Sequence, residues 1–202
     1  MRTAISRPDR VARPSRTDRT AGTGRARTAG PRPSRAERSR LRRLDAMSAR
    51  LAELHAIHDL LGRAAEVIGD GWVQDAWFRV QTETGPRDVA AYDLRSAMEH
   101  PVIGACLVGS VVHAAGGPST ARSQLVQRSM DVLWHALREE PASPVRWCPG
   151  PAMRSMQLLE LTHWNDDPAR RQDDVVGLIH SARRTTQAQR ETCRAEHAAL
   201  GG

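Results

Sequence analysis

Apolar residues recur at Leu44, Met47, Leu51, Leu54, Ile57, Leu61, Ala64 and Ile68, in steps of three and four. That spacing lines one face of a long helix. Gly69-Asp70-Gly71 supplies the residues that stop it. The stretch from Trp72 to Tyr92 places Trp72, Trp77, Phe78 and Val80 before the polar Thr82-Glu83-Thr84-Gly85-Pro86 and then Val89. It reads as a short β-hairpin or an irregular loop. Pro101 to Ala115 is the most apolar segment, and Gly104, Gly109 and Ser110 within it favour a closely packed helix over a strand. Gly116-Gly117-Pro118 ends that segment. Ser119 or Thr120 then caps a helix carrying Leu125, Val126, Met130, Leu133, Trp134 and Leu137. Pro141, Pro144, Pro149 and Pro151 mark a loop, and Met153 to Leu161 a short helix. Asp167 as N-cap and Pro168 as first helical residue open a last helix. Its stripe of Val175, Leu178, Ile179 and Ala182 fades into polar sequence by Thr185.

These elements predict a mainly α fold, a small helical domain of four to five helices with a short β-hairpin, over residues 44–184. A polar helical or frayed tail follows over 185–202. Charge separates the domain from what precedes it. Residues 1–43 hold 14 arginines against Asp9, Asp18 and Glu37, a net +11, whereas 44–202 hold 16 arginines against 20 acids, a net −4. The leader is Arg, Pro, Thr, Ser, Gly and Ala with almost no large apolar side chain, so it cannot offset its ordering entropy and is expected to be disordered. It reads either as a cationic arm for nonspecific nucleic-acid binding, with steep salt dependence, or as sequence upstream of a translation start at Met47. The chain contains no lysine, so its arginines do not individually signal bidentate anion recognition.

The remaining composition mostly excludes. Cys106, Cys148 and Cys193 are far apart and odd in number, which suggests neither a disulfide framework nor a zinc site and fits a reducing cytoplasm. No apolar run approaches the roughly 18 to 20 residues of a membrane span, and the N-terminus has no apolar signal core. The absence of lysine excludes a phosphate-binding Gly-x-x-x-x-Gly-Lys loop, and Gly-x-Ser-x-Gly is absent. His55 and His58 lie three apart without an acidic or cysteine partner at ligand spacing, and Glu139-Glu140 and Asp173-Asp174 read as solvated helix faces or ends. No metal or cofactor is indicated.

Three short stretches stand out in order: Gly71-Trp72-Val73-Gln74 after an Ala-Ala-Glu-Val-Ile helix, Cys106 opening Cys-Leu-Val-Gly-Ser, and Trp164-Asn165-Asp166-Asp167-Pro168 before Val-Val-Gly-Leu-Ile. Together, over roughly Arg63 to Arg183, the chain resembles a family of short uncharacterised proteins, mostly actinobacterial and often in phage-like or plasmid-like surroundings, classed as a domain of unknown function. Its members typically carry Gly-Trp-Cys-Gln, a Cys followed by Gly-Ala-Leu, and Trp-Asn-Asp-x-Pro. Val73 stands where that pattern has cysteine, which argues against a two-cysteine site with Cys106. Arg171 stands where a threonine often opens the last helix, so that capping box is lost and Asp167 is expected to replace it. The resemblance implies no activity.

Read by their own chemistry, Trp164 is an amphipathic anchor, and Asn165 and Asp166 make a turn through side-chain to backbone bonds. A competing reading sets His163, Asp166 and Asp167 around a cation. Trp72 and Gln74 are candidates to line a groove, one with a stacking face and the other with both a donor and an acceptor. The sequence thus favours a noncatalytic cytoplasmic accessory or interaction protein with a protein partner in a mobile-element setting. Nucleic-acid binding through the leader is the alternative. The third reading is an enzyme whose site combines Trp72, Gln74, Asn165 and Asp166.

Overall fold

A computed structural model describes residues 34–201 except 92, 94, 140–142 and 149. The leader up to residue 33 lies outside them, as do Tyr92, Pro141 and Pro149. Two long helices frame the domain: α1 (Arg35–Asp70) and α6 (Gln172–Gly201). They run antiparallel. Arg40 Nε and Nη2 donate to the carbonyls of Leu200 and Gly201 at one end, and Gln172 Nε2 donates to those of Ile68 and Gly69 at the other. Each contact gives a helix terminus the partners its last carbonyls lack. Of the expected stripe on α1, Leu54, Ile57, Leu61, Ala64 and Ile68 are buried, joined by Leu60, while Leu44, Met47 and Leu51 are half-buried; Val175, Leu178, Ile179 and Ala182 bury the expected face of α6. The helix α1 starts before the apolar pattern does, on the arginine-rich turns from Arg35, and α6 continues past Thr185, where Thr186 and Cys193 are still buried. A polar sequence stays helical there because its partner helix covers it.

Between the long helices lie β1 (Phe78–Thr82), β2 (Gly85–Val89), the single turn α2 (Ser96–Glu99), β3 (Val102–Ala105), α3 (Leu107–Ala114), α4 (Gln124–Arg138) and α5 (Pro151–Asn165). The expected hairpin is formed: β1 and β2 pair antiparallel from Phe78 with Val89 to Thr82 with Gly85. Val102 to Ala105, expected as the start of a helix, is instead the third strand, antiparallel to β1 in the order β2-β1-β3. Its identity is settled by pairing at distance. Gln81 N–H donates to Pro101 O, Cys106 N–H to Trp77 O, and Ala105 also bridges in parallel to Trp72.

Two helix starts also differ from expectation. Ser123, not Ser119 or Thr120, caps α4, its hydroxyl accepting from Val126 N–H; Pro118–Thr120 form a separate 3-10 turn. Asp167 and Pro168 do not open the last helix. Asp167 closes a turn on Ala169 N–H, while Arg171 sits at the N-cap of α6 with its N–H held by Asp174 Oδ2 at 2.9 Å. The acidic half of a capping box therefore survives without the threonine.

In the core, α4 buries Val126, Met130, Val132 and Leu133 together with His135, which is 1% exposed. Burial pushes the His135 imidazole below its ordinary pKa, against the pull of Glu139; burial lowers His58 too. A histidine depressed in the folded state takes up its proton more readily when unfolded. Stability should therefore fall as pH drops below about 6.5, the unfolded value, and go on falling until the folded imidazole protonates. Urea midpoints measured across that window for His135→Gln should show a shallower acid-side decline than the wild type.

Candidate functional site

The three sequence stretches meet at one buried side chain. Asn165, the last residue of α5, is 1% exposed. Its Oδ1 accepts from Trp72 Nε1 at 2.9 Å and from the Leu107 backbone N–H at 3.0 Å. Its Nδ2 donates to Val73 O at 3.1 Å and to Asp166 Oδ1 at 2.7 Å. All four hydrogen-bonding positions of the amide are filled, and because Trp72 and Leu107 can only donate here, the orientation of the amide is fixed by chemistry.

A second ring of bonds surrounds the first. Asp166 Oδ1 also accepts from Asp75 N–H at 3.0 Å, and Asp75 holds a left-handed backbone with φ 59°, a conformation aspartate tolerates better than most residues. Gln74 Nε2 donates to Asn165 O and Asp167 O. Trp164 is half-buried beneath Arg170, whose guanidinium lies 4.1 Å from the ring centroid and whose Nε donates to Trp164 O. The segment carrying Trp72 can approach because Gly71 has no side chain: a Cβ there would lie 2.3 Å from Ile103 O. Five parts of the chain converge, namely the end of α1, the 71–75 segment, the start of α3, the end of α5 and the turn into α6.

Cys106 is the N-cap of α3, its sulfur accepting from Gly109 N–H at 3.3 Å. Burial pushes this thiol up to about 11, so it is neutral at physiological pH and unsuited to nucleophilic attack. The position equivalent to a second cysteine, Val73, is buried and its N–H donates to Ala105 O. Among the described residues no group of three or more His, Cys, Asp or Glu side chains could hold a metal ion. His55 does have an acidic neighbour, Asp59 one turn on at 3.3 Å, an exposed surface pair that i to i+4 spacing would have revealed. Sequence reading missed Gln172, whose amide ties α6 to the end of α1; a glutamine at a helix start carries no signal of that role.

Comparison of the chain with protein families matches residues 52–185 to a family of unknown function. The chain belongs to the DUF6197 family. No curated protein and no solved structure matches it. Every junction residue from Trp72 to Asp174 falls inside the matched span, and the arginine-rich leader falls outside it.

The DUF6197 domain carries a separate cavity of about 670 Å³ between α3, α4 and α5. Val108, Val112, Val126, Met130 and Leu158 give it apolar walls, with Trp77 at one side and Arg122, Gln127, Cys148 and Arg154 supplying polar atoms. Behind Arg154 lies Asp131, fully buried, which accepts from Arg154 Nη2 at 3.2 Å and from Cys148 N–H at 3.2 Å. Burial nevertheless raises the Asp131 carboxyl above its ordinary pKa, because the loss of water outweighs both donors and the nearby arginines. No sequence signal marked this cavity, since its walls come from residues that also read as ordinary core.

Proposed function

We propose that this DUF6197 chain is a noncatalytic interaction protein acting in the cytoplasm as an accessory to a protein partner. The observation that carries this reading is the engagement of the candidate residues with one another. Trp72, Gln74, Asn165 and Asp166 converge, as an enzyme would require, but Trp72 Nε1, Gln74 Nε2, Asp166 Oδ1 and both ends of the Asn165 amide bind backbone and each other. A substrate that used those atoms would have to displace those bonds. Surface chemistry offers a place for a partner: Met153, Met156 and Leu159 stand 47%, 60% and 55% exposed along α5, and methionine-rich helix faces suit protein contacts. The mobile-element setting is carried by the family resemblance of the sequence. All three cysteines are free, which is compatible with a reducing compartment.

A partner recovered from the native host and re-bound as a purified protein should lose affinity for Met156→Glu. The variant's unfolding free energy should stay within about 0.5 kcal/mol of wild type, as expected for an exposed position. Turnover by the purified protein on hydrolase or transferase substrates, abolished by Asp166→Ala, would overturn the noncatalytic reading.

One observation favours nucleic acid as a second reading. The first turns of α1 present Arg35, Arg38, Arg40, Arg42 and Arg43, all exposed, against one acid, Glu37, and they follow directly on the cationic leader. This reading predicts DNA binding by the full chain whose log affinity falls steeply and linearly with log salt. The reading fails if binding survives unchanged when residues 1–43 are removed.

A further inference from the structure

We propose that the cavity between α3, α4 and α5 binds a small amphipathic carboxylate, a medium-chain acyl acid, with its chain against the apolar walls and its head at Arg122 and Arg154. This goes beyond the interaction reading and does not depend on it, since α5 turns Met153 and Met156 outward and Arg154 and Leu158 toward the cavity.

Three observations select this ligand class. The volume, about 670 Å³, lies inside the range of about 300 to 1,000 Å³ typical of small-molecule sites. The walls from Val108, Val112, Val126, Met130 and Leu158 are aliphatic, which fits a hydrocarbon chain better than a sugar or a nucleotide. The charged lining residues are both cationic, Arg122 and Arg154.

The two arginines differ in readiness. Arg154 is held in place: Nη1 donates to Gln127 Oε1 and Nη2 to Asp131. Its Nε is buried and has no hydrogen-bond partner among the described residues. That atom is out of reach of water, so Arg154 serves the cavity as a fixed positive charge in its wall and not through a free Nε–H. Arg122, exposed at the mouth, has no ion pair among the described residues and can pair with the carboxylate. Asp131 offsets one of the two positive charges, leaving the site net cationic. An alcohol of the same chain length would fill the walls and leave Arg122 without its counter-charge.

The test is titration calorimetry of decanoate, below its micelle concentration, into the full-length chain, with decan-1-ol in parallel. Arg154→Gln would strand Asp131 and risk unfolding, so the informative variants are Arg122→Gln and Ser155→Trp, both at exposed positions on the rim. Decanoate should saturate one site. Arg122→Gln should weaken it roughly tenfold, the value of one charge-assisted hydrogen bond, and Ser155→Trp should abolish the heat by blocking the mouth. Amide shifts in the NMR spectrum should map to α3, α4 and the first turns of α5. Absence of a saturable heat, decanol binding as tightly as decanoate, or undiminished binding by Ser155→Trp would each overturn the proposal.

Discussion

Replacing Asn165 with alanine should lower the unfolding free energy by about 4 kcal/mol, since buried groups left without partners cost about 1 to 3 kcal/mol each. The substitution removes the acceptor for Trp72 Nε1 and Leu107 N–H and the donor to Val73 O and Asp166. Trp72 is half-buried and can recover part of its loss from water; Leu107 is fully buried and cannot. For a domain of this size the drop corresponds to about 8 to 16 °C in Tm, readable by circular dichroism. Asn165→Asp separates hydrogen bonding from volume. The isosteric carboxylate keeps both acceptor bonds but turns a second oxygen toward Val73 O and the Asp166 carboxylate. Its deficit relative to wild type should therefore be large at neutral pH and shrink in acid, as the new carboxyl is protonated. An Asn165→Asp deficit that does not change with pH would show that the amide donor contributes little.

The second large effect is expected at Gly109. A Cβ there would lie 2.1 Å from Trp77 O, an oxygen already accepting from Cys106 N–H at 3.1 Å. The first turn of α3 rests directly on the strand entry, with no room for a methyl group. Gly109→Ala should cost about 3 kcal/mol by overpacking despite alanine's better helix propensity. Gly177, in the exposed interior of α6 with nothing within 4 Å of its Cβ position, is the matched control. Gly177→Ala should stabilise by about 0.5 to 1 kcal/mol. Opposite signs for one chemical change in two helices would isolate close approach as the cause.

These positions show where the sequence was informative. Periodicity located α1, α4 and α6 because each buries one stripe against a continuous core, and that stripe is visible in one dimension. It misread Val102 to Ala105 because a four-residue apolar run looks alike in a strand and in a buried helix; its pairing with β1 and Trp72 lies in other parts of the chain. The Trp-Asn-Asp stretch was recognisable as a local turn. What was not legible was that one amide would serve Trp72, Val73 and Leu107 at once. Gln172 was invisible for the same reason. A side chain that bonds a backbone carbonyl about a hundred positions away leaves no trace in its neighbours.

The antiparallel course of α1 and α6 brings Arg40 to the carbonyls of Leu200 and Gly201, so the first turns of α1 and the last turn of α6 share one corner. The Asn165 junction lies near the opposite ends of these helices, some 28 residues along α1 from Arg40, or about 42 Å at 1.5 Å per residue. Such a unit is topologically a plug. Spliced into a loop of a host protein, it would enter and leave through one narrow gap, and a short linker joining its ends would allow new termini to be opened elsewhere without disturbing the helices.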